Sequence, residues 1–381
     1  MNNFNYFKHN KLFIYYAFFL ILILLFTNNY WTFNQSIDKG FADFLYYTKI
    51  SKCGYDISFK SLNEITIPEH FAERWVPVFF IGVLSKITNI DILVLDRFFI
   101  LVVFIFIVFI LYNSTYNLRS KICYLSIIVL NPYTFRSYMV AGYNINECLF
   151  LFSVFLLVFY LHNGRLFYLL IAILLGVISR QTAIFFIPIL FIFYYKKIIA
   201  KKVLYYCLSF LFSLALILKL SIFYFFKPMP SSTLMHLYGL FIFLFKSTKI
   251  NESYIFISRI FLFLTLLTPL LLLNFKNLKL YVASAMLISL QPILAGPIIT
   301  GAAGLRLYAF SLPFLCFPLL QQNQNLKQTI LFIIIVFILS FHHNYSFINS
   351  RDLYFIIILL YLFSFIFIKL LKIIKVAKLI K

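Results

Sequence analysis

The sequence predicts an all-α fold, a polytopic bundle of about twelve transmembrane helices with a long first extracytoplasmic loop that bears juxtamembrane helices. Two observations predict it: 63% of the 381 residues are hydrophobic, and only 12% are charged. Soluble domains have about 45–50% apolar and about 25% charged residues. Apolar runs recur along the whole chain and leave no polar stretch for a soluble domain, so residues 1–381 form a single integral membrane domain.

The apolar segments reach the length of membrane helices once flanking Ser, Asn and Tyr residues are included. They begin near Leu12, Ile92, Ile122, Ile145, Leu166, Ala183, Val203, Ile255, Leu280, Arg306, Thr329 and Leu353. Two further apolar pieces, 75–90 and 237–245, are short or interrupted and predict interfacial helices. The first segment ends in polar and aromatic residues and not in a small-residue cleavage site, which favours an uncleaved helix.

Lysine sets the predicted orientation, because short cytoplasmic loops collect Lys and Arg. With the amino terminus inside, the inner loops and the carboxyl-terminal tail hold most of the lysines, including a cluster at 196–202. Residues 28–91 then form an extracytoplasmic catalytic-loop region, and residues 92–381 form the transmembrane bundle. Since heavy use of Phe, Ile, Lys, Asn and Tyr is typical of A/T-rich genomes, we expect a multi-pass protein of a bacterial inner membrane with both termini cytoplasmic.

Several function classes are disfavoured by the sequence. The net charge of +22 comes from basic residues that stand singly between apolar segments, which argues against nucleic-acid binding. The five cysteines are scattered, without a disulfide or metal-binding spacing. The sequence also contains no Walker loop, dinucleotide fingerprint or nucleophile elbow, which argues against ATP-driven transport and serine hydrolysis.

Acidic residues concentrate in the predicted outer loop and at its border with the second span. Eight of the eleven in the chain lie there: Asp38, Asp43, Asp56, Glu64, Glu69, Glu73, Asp91 and Asp96. A solvated loop carries such charges in any case. The alternative interpretation is that this loop brings a catalytic carboxylate to the membrane surface.

The arginines follow the opposite distribution to the lysines. Most of them fall on or near the predicted outer side: Arg74, Arg97, Arg136, Arg180, Arg259, Arg306 and Arg351. Because the planar guanidinium binds phosphate at two points, this distribution indicates an anionic ligand at the outer leaflet. Arg136, Arg180 and Arg306 are the best candidates, since they adjoin apolar helix ends where an unpaired charge is costly. The alternatives are snorkelling, which we also expect of Lys219, or pairing with the acidic loop.

Four motifs occur in order over roughly the first 200 residues. They are Asp43 followed by Tyr47 and Gly54, Trp75 with Pro77 and then Asp96-Arg97, Asn131-Pro132-Tyr133 with Gly142-Tyr143-Asn144, and Ser179-Arg180-Gln181-Thr182. Together with the cytoplasmic amino terminus, single helix and long outer loop, they resemble the polyprenyl-phosphate-dependent membrane glycosyltransferases of the GT-C superfamily.

The resemblance implies a reaction and a set of site residues. A sugar on a polyprenyl phosphate or pyrophosphate moves to a glycan or glycolipid acceptor, with Asp43 or Asp38 as the general base. The lipid phosphate is held by the basic side chains of Arg180, Arg306 and Arg136, with Arg97 and Arg74 as weaker candidates. A divalent metal ion is the one cofactor that the resemblance allows, with Glu69, His70 and Glu73 as weak candidate ligands.

Two rival functions fit parts of the pattern. A repeat-unit polymerase for O-antigen or capsule also uses polyprenyl-pyrophosphate sugars, but such polymerases usually place their largest outer loops in the carboxyl-terminal half. A lipid or oligosaccharide flippase predicts internal repeats and ionisable residues at mid-membrane depth. The sequence has no evident repeat and offers only Lys219 for such a role. We therefore predict a glycosyltransferase of surface polysaccharide or glycolipid synthesis in the cell envelope, with membrane lipids as further partners.

Overall fold

A computed structural model describes residues 2–26, 42–62, 65–131, 133–140, 142–229, 278–290 and 304–321. This part of the chain is mostly helical, which confirms the predicted fold class at that level. Its elements, in chain order, are α1 (Asn2–Phe26), α2 (Ala42–Tyr55), α3 (Phe59–Leu62), β1 (Thr66–Pro68), α4 (Glu69–Ala72), α5 (Trp75–Thr88), α6 (Ile92–Tyr112), α7 (Leu118–Leu130), α8 (Phe135–Val140), α9 (Ile145–Asn163), α10 (Leu166–Ser179), a 3₁₀ helix (Gln181–Phe185), α11 (Phe186–Tyr195), α12 (Lys201–Phe225), β2 (Lys227–Met229), α13 (Leu278–Ile288), α14 (Gly304–Ala309) and α15 (Leu312–Leu320).

Three of the described helices, α6, α9 and α12, are long and apolar enough to cross a membrane. Shorter apolar helices accompany them, and α5 is one of these. The twelve-span count stays a prediction, because the segments predicted near Ile255, Thr329 and Leu353 and the piece 237–245 lie outside the described residues.

Polar residues set the ends of several helices. Asp91 begins α6, because its carboxylate accepts the backbone N–H groups of Leu93 at 2.8 Å and Val94 at 3.3 Å. Asn117 caps α7 in the same way through the N–H of Arg119. Gly164 ends α9 in the left-handed conformation, at φ 61°, which lets the chain turn directly into α10.

The helix α9 forms the centre of the described bundle. It packs against α10, α6 and α15, and nearly all of its side chains are buried. The helix α12 lies at the periphery and keeps most of its apolar surface exposed, for example at Leu216 and Phe223. This contrast is expected of a membrane bundle, where lipid covers the outer helices and only the innermost is enclosed by protein.

The helices α2 and α5 of the predicted outer loop cross in direct backbone contact. A Cβ atom at Gly54 would collide with the carbonyl oxygen of Phe79, and one at Gly82 would collide with the carbonyl oxygen of Ser51. Small residues on both helices therefore permit the crossing, as at close helix contacts in membranes. The α2–α5 pair is consequently held in one fixed arrangement.

The loop elements also dock onto the end of α12. The strands β1 and β2 pair in parallel, with Ile67 opposite Pro228. The indole N–H of Trp75 donates to the Ser221 hydroxyl at 3.2 Å, and the rings of Trp75 and Phe225 lie 5.7 Å apart. Residues about 150 positions apart in the chain are thus joined at one end of the bundle.

Long-range hydrogen bonds and ion pairs bring particular helix ends together. The starts of α6 and α9, the ends of α10 and α12, and the loop elements meet at one end of the bundle, which we name the polar end. The starts of α10 and α12 lie at the opposite end, which we name the lysine end. From Lys201 to Lys219, α12 rises about 27 Å, since a helix advances about 1.5 Å per residue.

Candidate functional site

The polar end contains a buried ion pair between two helices. Arg180, directly after α10, places a guanidinium nitrogen 2.8 Å from a carboxylate oxygen of Glu147, in the first turn of α9. The Arg180 side chain is only 4% exposed and that of Glu147 only 11%. The guanidinium also lies over the ring of Phe310, 4.9 Å from its centroid, between α14 and α15. Three separate parts of the chain therefore enclose one predicted phosphate ligand.

A second buried arginine contacts the sequence neighbours of this ion pair. Arg74, just before α5, donates to the Tyr47 hydroxyl at 3.5 Å and to the Gln181 side-chain oxygen at 3.2 Å. Asn146 donates to the backbone oxygen of Arg74 at 3.1 Å. We name Arg74, Asn146, Glu147, Arg180 and Gln181 the arginine cluster. Two guanidinium groups and one carboxylate thus lie in one buried cluster.

Two buried polar atoms beside these arginines have no hydrogen-bond partner within the described part of the chain. They are the side-chain oxygen of Asn146 and the hydroxyl of Thr182. A buried polar atom without a partner costs about 1–3 kcal/mol. Such atoms are suited to groups that a bound sugar supplies, because a hydroxyl can donate to the amide oxygen and accept from the threonine.

Asp96 and Arg97 hold the chain between α7 and α9 in place. Both are buried at the start of α6. Asp96 accepts the backbone N–H of Ile145 at 3.3 Å, and Arg97 donates to the backbone oxygen of Met139 at 3.0 Å. Arg97, a predicted phosphate ligand, thus contacts the backbone of α8, and these bonds position Asn146 and Glu147 at the arginine cluster.

The turn before α9 is also tied to α2. Tyr143 has a left-handed backbone, with φ 59°, which is uncommon for a bulky residue. Its hydroxyl accepts from Ser51 of α2 at 3.0 Å, and burial raises the pKa of the Tyr143 hydroxyl. A strained residue held in this way indicates a region whose position is enforced by its surroundings.

The remaining predicted phosphate ligands and bases belong to other elements or lie outside the described part of the chain. Arg136 is buried in α8, and this burial lowers its pKa. Asp43 belongs to α2, one turn before Tyr47, and Arg306 belongs to α14, which precedes Phe310. Asp38 lies outside the described residues.

The predicted metal ligands face a cation that the chain itself provides. Lys219 of α12 forms ion pairs with both Glu69 and Glu73, the latter at 3.2 Å. The imidazole of His70 lies 4.1 Å from the Phe71 ring, measured between centroids. Among the described residues, no group of three His, Cys, Asp or Glu side chains is placed to hold a metal ion. Lys219 therefore reaches the polar end, where its ammonium holds the loop carboxylates against α12.

Comparison of the chain with protein-family models, with curated proteins and with solved structures finds no match. The geometry alone therefore identifies the residues that the sequence pattern did not single out. The sequence pattern does not single out Glu147 and Asn146, because both lie outside the acidic loop. Their one signal was an acid beside an amide at the start of an apolar segment. Tyr47 was recognised only as part of a motif, and its contact with Arg74 depends on the crossing of α2 and α5.

Proposed function

We propose that this chain is a membrane glycosyltransferase that moves a sugar from a polyprenyl-phosphate-type donor to a glycan or glycolipid acceptor. The reaction takes place at the polar end, which corresponds to the predicted outer face. The products belong to surface polysaccharide or glycolipid synthesis.

The observation that carries this proposal is the convergence of Arg74 and Arg180. These residues are 106 positions apart in the sequence, yet the Arg74 side chain contacts Gln181, which follows Arg180, and the Arg74 backbone oxygen accepts from Asn146, which precedes Glu147. Glu147 pairs with Arg180. Because planar guanidinium groups bind phosphate at two points, a lipid phosphate is the kind of anion that suits this cluster.

The reaction needs a base and a stabilised leaving group. A loop carboxylate, Asp43 or Asp38, takes the proton of the acceptor hydroxyl, and that oxygen forms a bond to the anomeric carbon. The bond from the anomeric carbon to the phosphate oxygen breaks, and the lipid phosphate leaves with the electron pair. Preorganised guanidinium groups stabilise the negative charge that develops on it. Asp43 lies in α2, one turn before Tyr47, whose hydroxyl accepts a hydrogen bond from Arg74.

The test uses a strain that lacks the chain, complemented with wild type, Asp43→Asn, Asp38→Asn or Asp56→Asn. Lipid-linked glycans are then measured by mass spectrometry, and the amount of each variant in the membrane by immunoblot. We expect Asp43→Asn to accumulate the same shortened glycan as the deletion strain. Asp56→Asn is the matched control, because Asp56 is an exposed carboxylate of the same region. Full activity of both the Asp43 and Asp38 variants would exclude a base from these two positions.

The same measurement separates a transferase from both alternatives. A repeat-unit polymerase predicts a complete but unpolymerised lipid-linked unit in the deletion strain, whereas a transferase predicts a truncated one. A flippase predicts a complete unit on the inner leaflet. The transporter alternative has the weaker support, because its one intramembrane candidate, Lys219, pairs with Glu69 and Glu73 at the polar end.

A further inference from the structure

The lysine end carries a compact basic surface on the turn between α11 and α12. Lys196, Lys197, Lys201 and Lys202 lie within seven residues, and all four are exposed. We propose that this turn, residues 195–206, binds the headgroups of anionic phospholipids. The proposal concerns the opposite end of the bundle from the arginine cluster and is independent of the glycosyltransferase activity.

The turn is built as a rigid platform. The N–H of Ile198 donates to the backbone oxygen of Phe193 at 2.8 Å, and that of Lys197 donates to Tyr194 at 2.9 Å. These two bonds form the Schellman arrangement that ends a helix. Ile199 is buried and anchors the turn to the bundle. The lysines therefore project from a fixed backbone.

Lys197 occupies a position where glycine is the usual residue. Its φ is 56°, in the left-handed region, where a side chain costs about 1–2 kcal/mol compared with glycine. When a residue other than glycine adopts a strained backbone conformation, we infer that its side chain has a function. In an exposed turn, that function is to add a fourth positive charge to the surface.

The lysines have no carboxylate partner among the described residues. The described acidic side chains belong to segments 56–96 and to Glu147, at the polar end or in the loop elements that pack there. Among the described lysines, only Lys219 forms an ion pair. The positive surface of the turn is thus balanced by no negative charge from this part of the protein and is complementary to an anionic partner.

Exposed tyrosines around the lysines specify a lipid surface as that partner. Tyr195 is 81% exposed, and Tyr205 and Tyr206 are also exposed. The ammonium groups of Lys196 and Lys201 each lie 5.7 Å from the ring centroid of a neighbouring tyrosine, Tyr195 and Tyr205. Tyrosine is enriched at the level of lipid headgroups. The lysines also stand at the end of α12, a helix long and apolar enough to span the bilayer, where phosphate groups of lipids lie.

The test titrates the purified full-length chain in nonionic detergent with phosphatidylglycerol or phosphatidylcholine and counts bound lipids by native mass spectrometry. Each lysine near an anionic surface contributes about fivefold to binding. We expect wild type to prefer phosphatidylglycerol by at least about tenfold. Replacing all four turn lysines with Gln should reduce the preference to about twofold or less.

Two further variants control for net charge and folding. Lys→Gln changes at four exposed lysines elsewhere, Lys49, Lys52, Lys86 and Lys227, remove the same charge and should keep the preference. Lys→Arg changes at the four turn positions should keep it as well, and thermal melting verifies the fold of each variant.

Lys197→Gly should raise the melting temperature while weakening phosphatidylglycerol binding about fivefold. Equal binding of the two lipids by wild type, or an equal loss in the control with four changed lysines, would overturn the proposal.

Discussion

The two ends of the bundle use basic residues in opposite ways. At the polar end, Arg74, Arg97, Arg136 and Arg180 are all buried, and the guanidinium groups of Arg74, Arg97 and Arg180 contact side chains and backbone from distant segments. At the lysine end, the turn lysines are exposed, and Arg119 and Arg165 are exposed too. Lys121 is the described exception, because it is buried with its ammonium on the backbone oxygens of Tyr112 and Ser114.

This difference reflects the chemistry of the two side chains. A guanidinium is weakly hydrated and presents several donors in one plane, so it can be buried when fixed acceptors surround it. An ammonium is strongly hydrated and is more stable where water or lipid headgroups reach it. The burial pattern therefore suggests two anionic partners of different kinds, a specific one at the arginine cluster and a diffuse one at the lysine turn.

The largest expected effect comes from breaking the buried pair. Glu147→Ala should lower the free energy of unfolding by about 3–5 kcal/mol, because Arg180 then stays buried without its carboxylate. The double change Arg180→Met with Glu147→Leu should recover much of this loss. Lys201→Ala at the lysine end should change stability by less than about 0.5 kcal/mol. Thermal unfolding in detergent measures all three, and equal effects of Glu147→Ala and Lys201→Ala would remove the contrast between the ends.

A second comparison uses one substitution at two glycines. Gly82→Ala should cost about 3 kcal/mol, because the new Cβ meets the backbone oxygen of Ser51 and the α2–α5 crossing must open. Gly164→Ala, at the lysine end, meets no atom within 4 Å and should cost about 1 kcal/mol through its left-handed φ. Melting temperatures provide the measurement. A smaller loss of stability for Gly82→Ala than for Gly164→Ala would mean that α2 and α5 are not in direct backbone contact at Gly82.

The smallest effect is expected for a lysine at the polar end. Lys219→Ala should cost less than about 1 kcal/mol, because its side chain is 58% exposed and exposed ion pairs contribute little. This variant distinguishes the effect of burial on stability from the effect of position at the polar end, because Lys219 belongs to that end but is not enclosed. A loss as large as that of Glu147→Ala would show that location alone determines the contribution.

The sequence predicted the helices better than their contacts. The starts of α6 at Ile92, α9 at Ile145 and α10 at Leu166 match the predicted segments, since each follows a polar residue or a turn. The β1–β2 pairing was not predictable, because it joins short strands about 160 residues apart whose register depends on the docked loop. Arg180 was predicted as a candidate phosphate ligand from its apolar surroundings. Its pairing with Glu147 was not predictable, because it depends on how α9 and α10 pack.

We propose that the buried arginines at the polar end bind the phosphate of a lipid donor. Isothermal titration calorimetry in detergent measures the binding of farnesyl phosphate to the purified full-length chain. Arg74→Gln should weaken binding at least about tenfold through loss of a charge-assisted two-point contact. Lys52→Gln, an exposed control on α2, should change it by less than about twofold. If thermal melting shows that both proteins are folded, equal affinities of wild type and Arg74→Gln for farnesyl phosphate would contradict phosphate binding by this arginine.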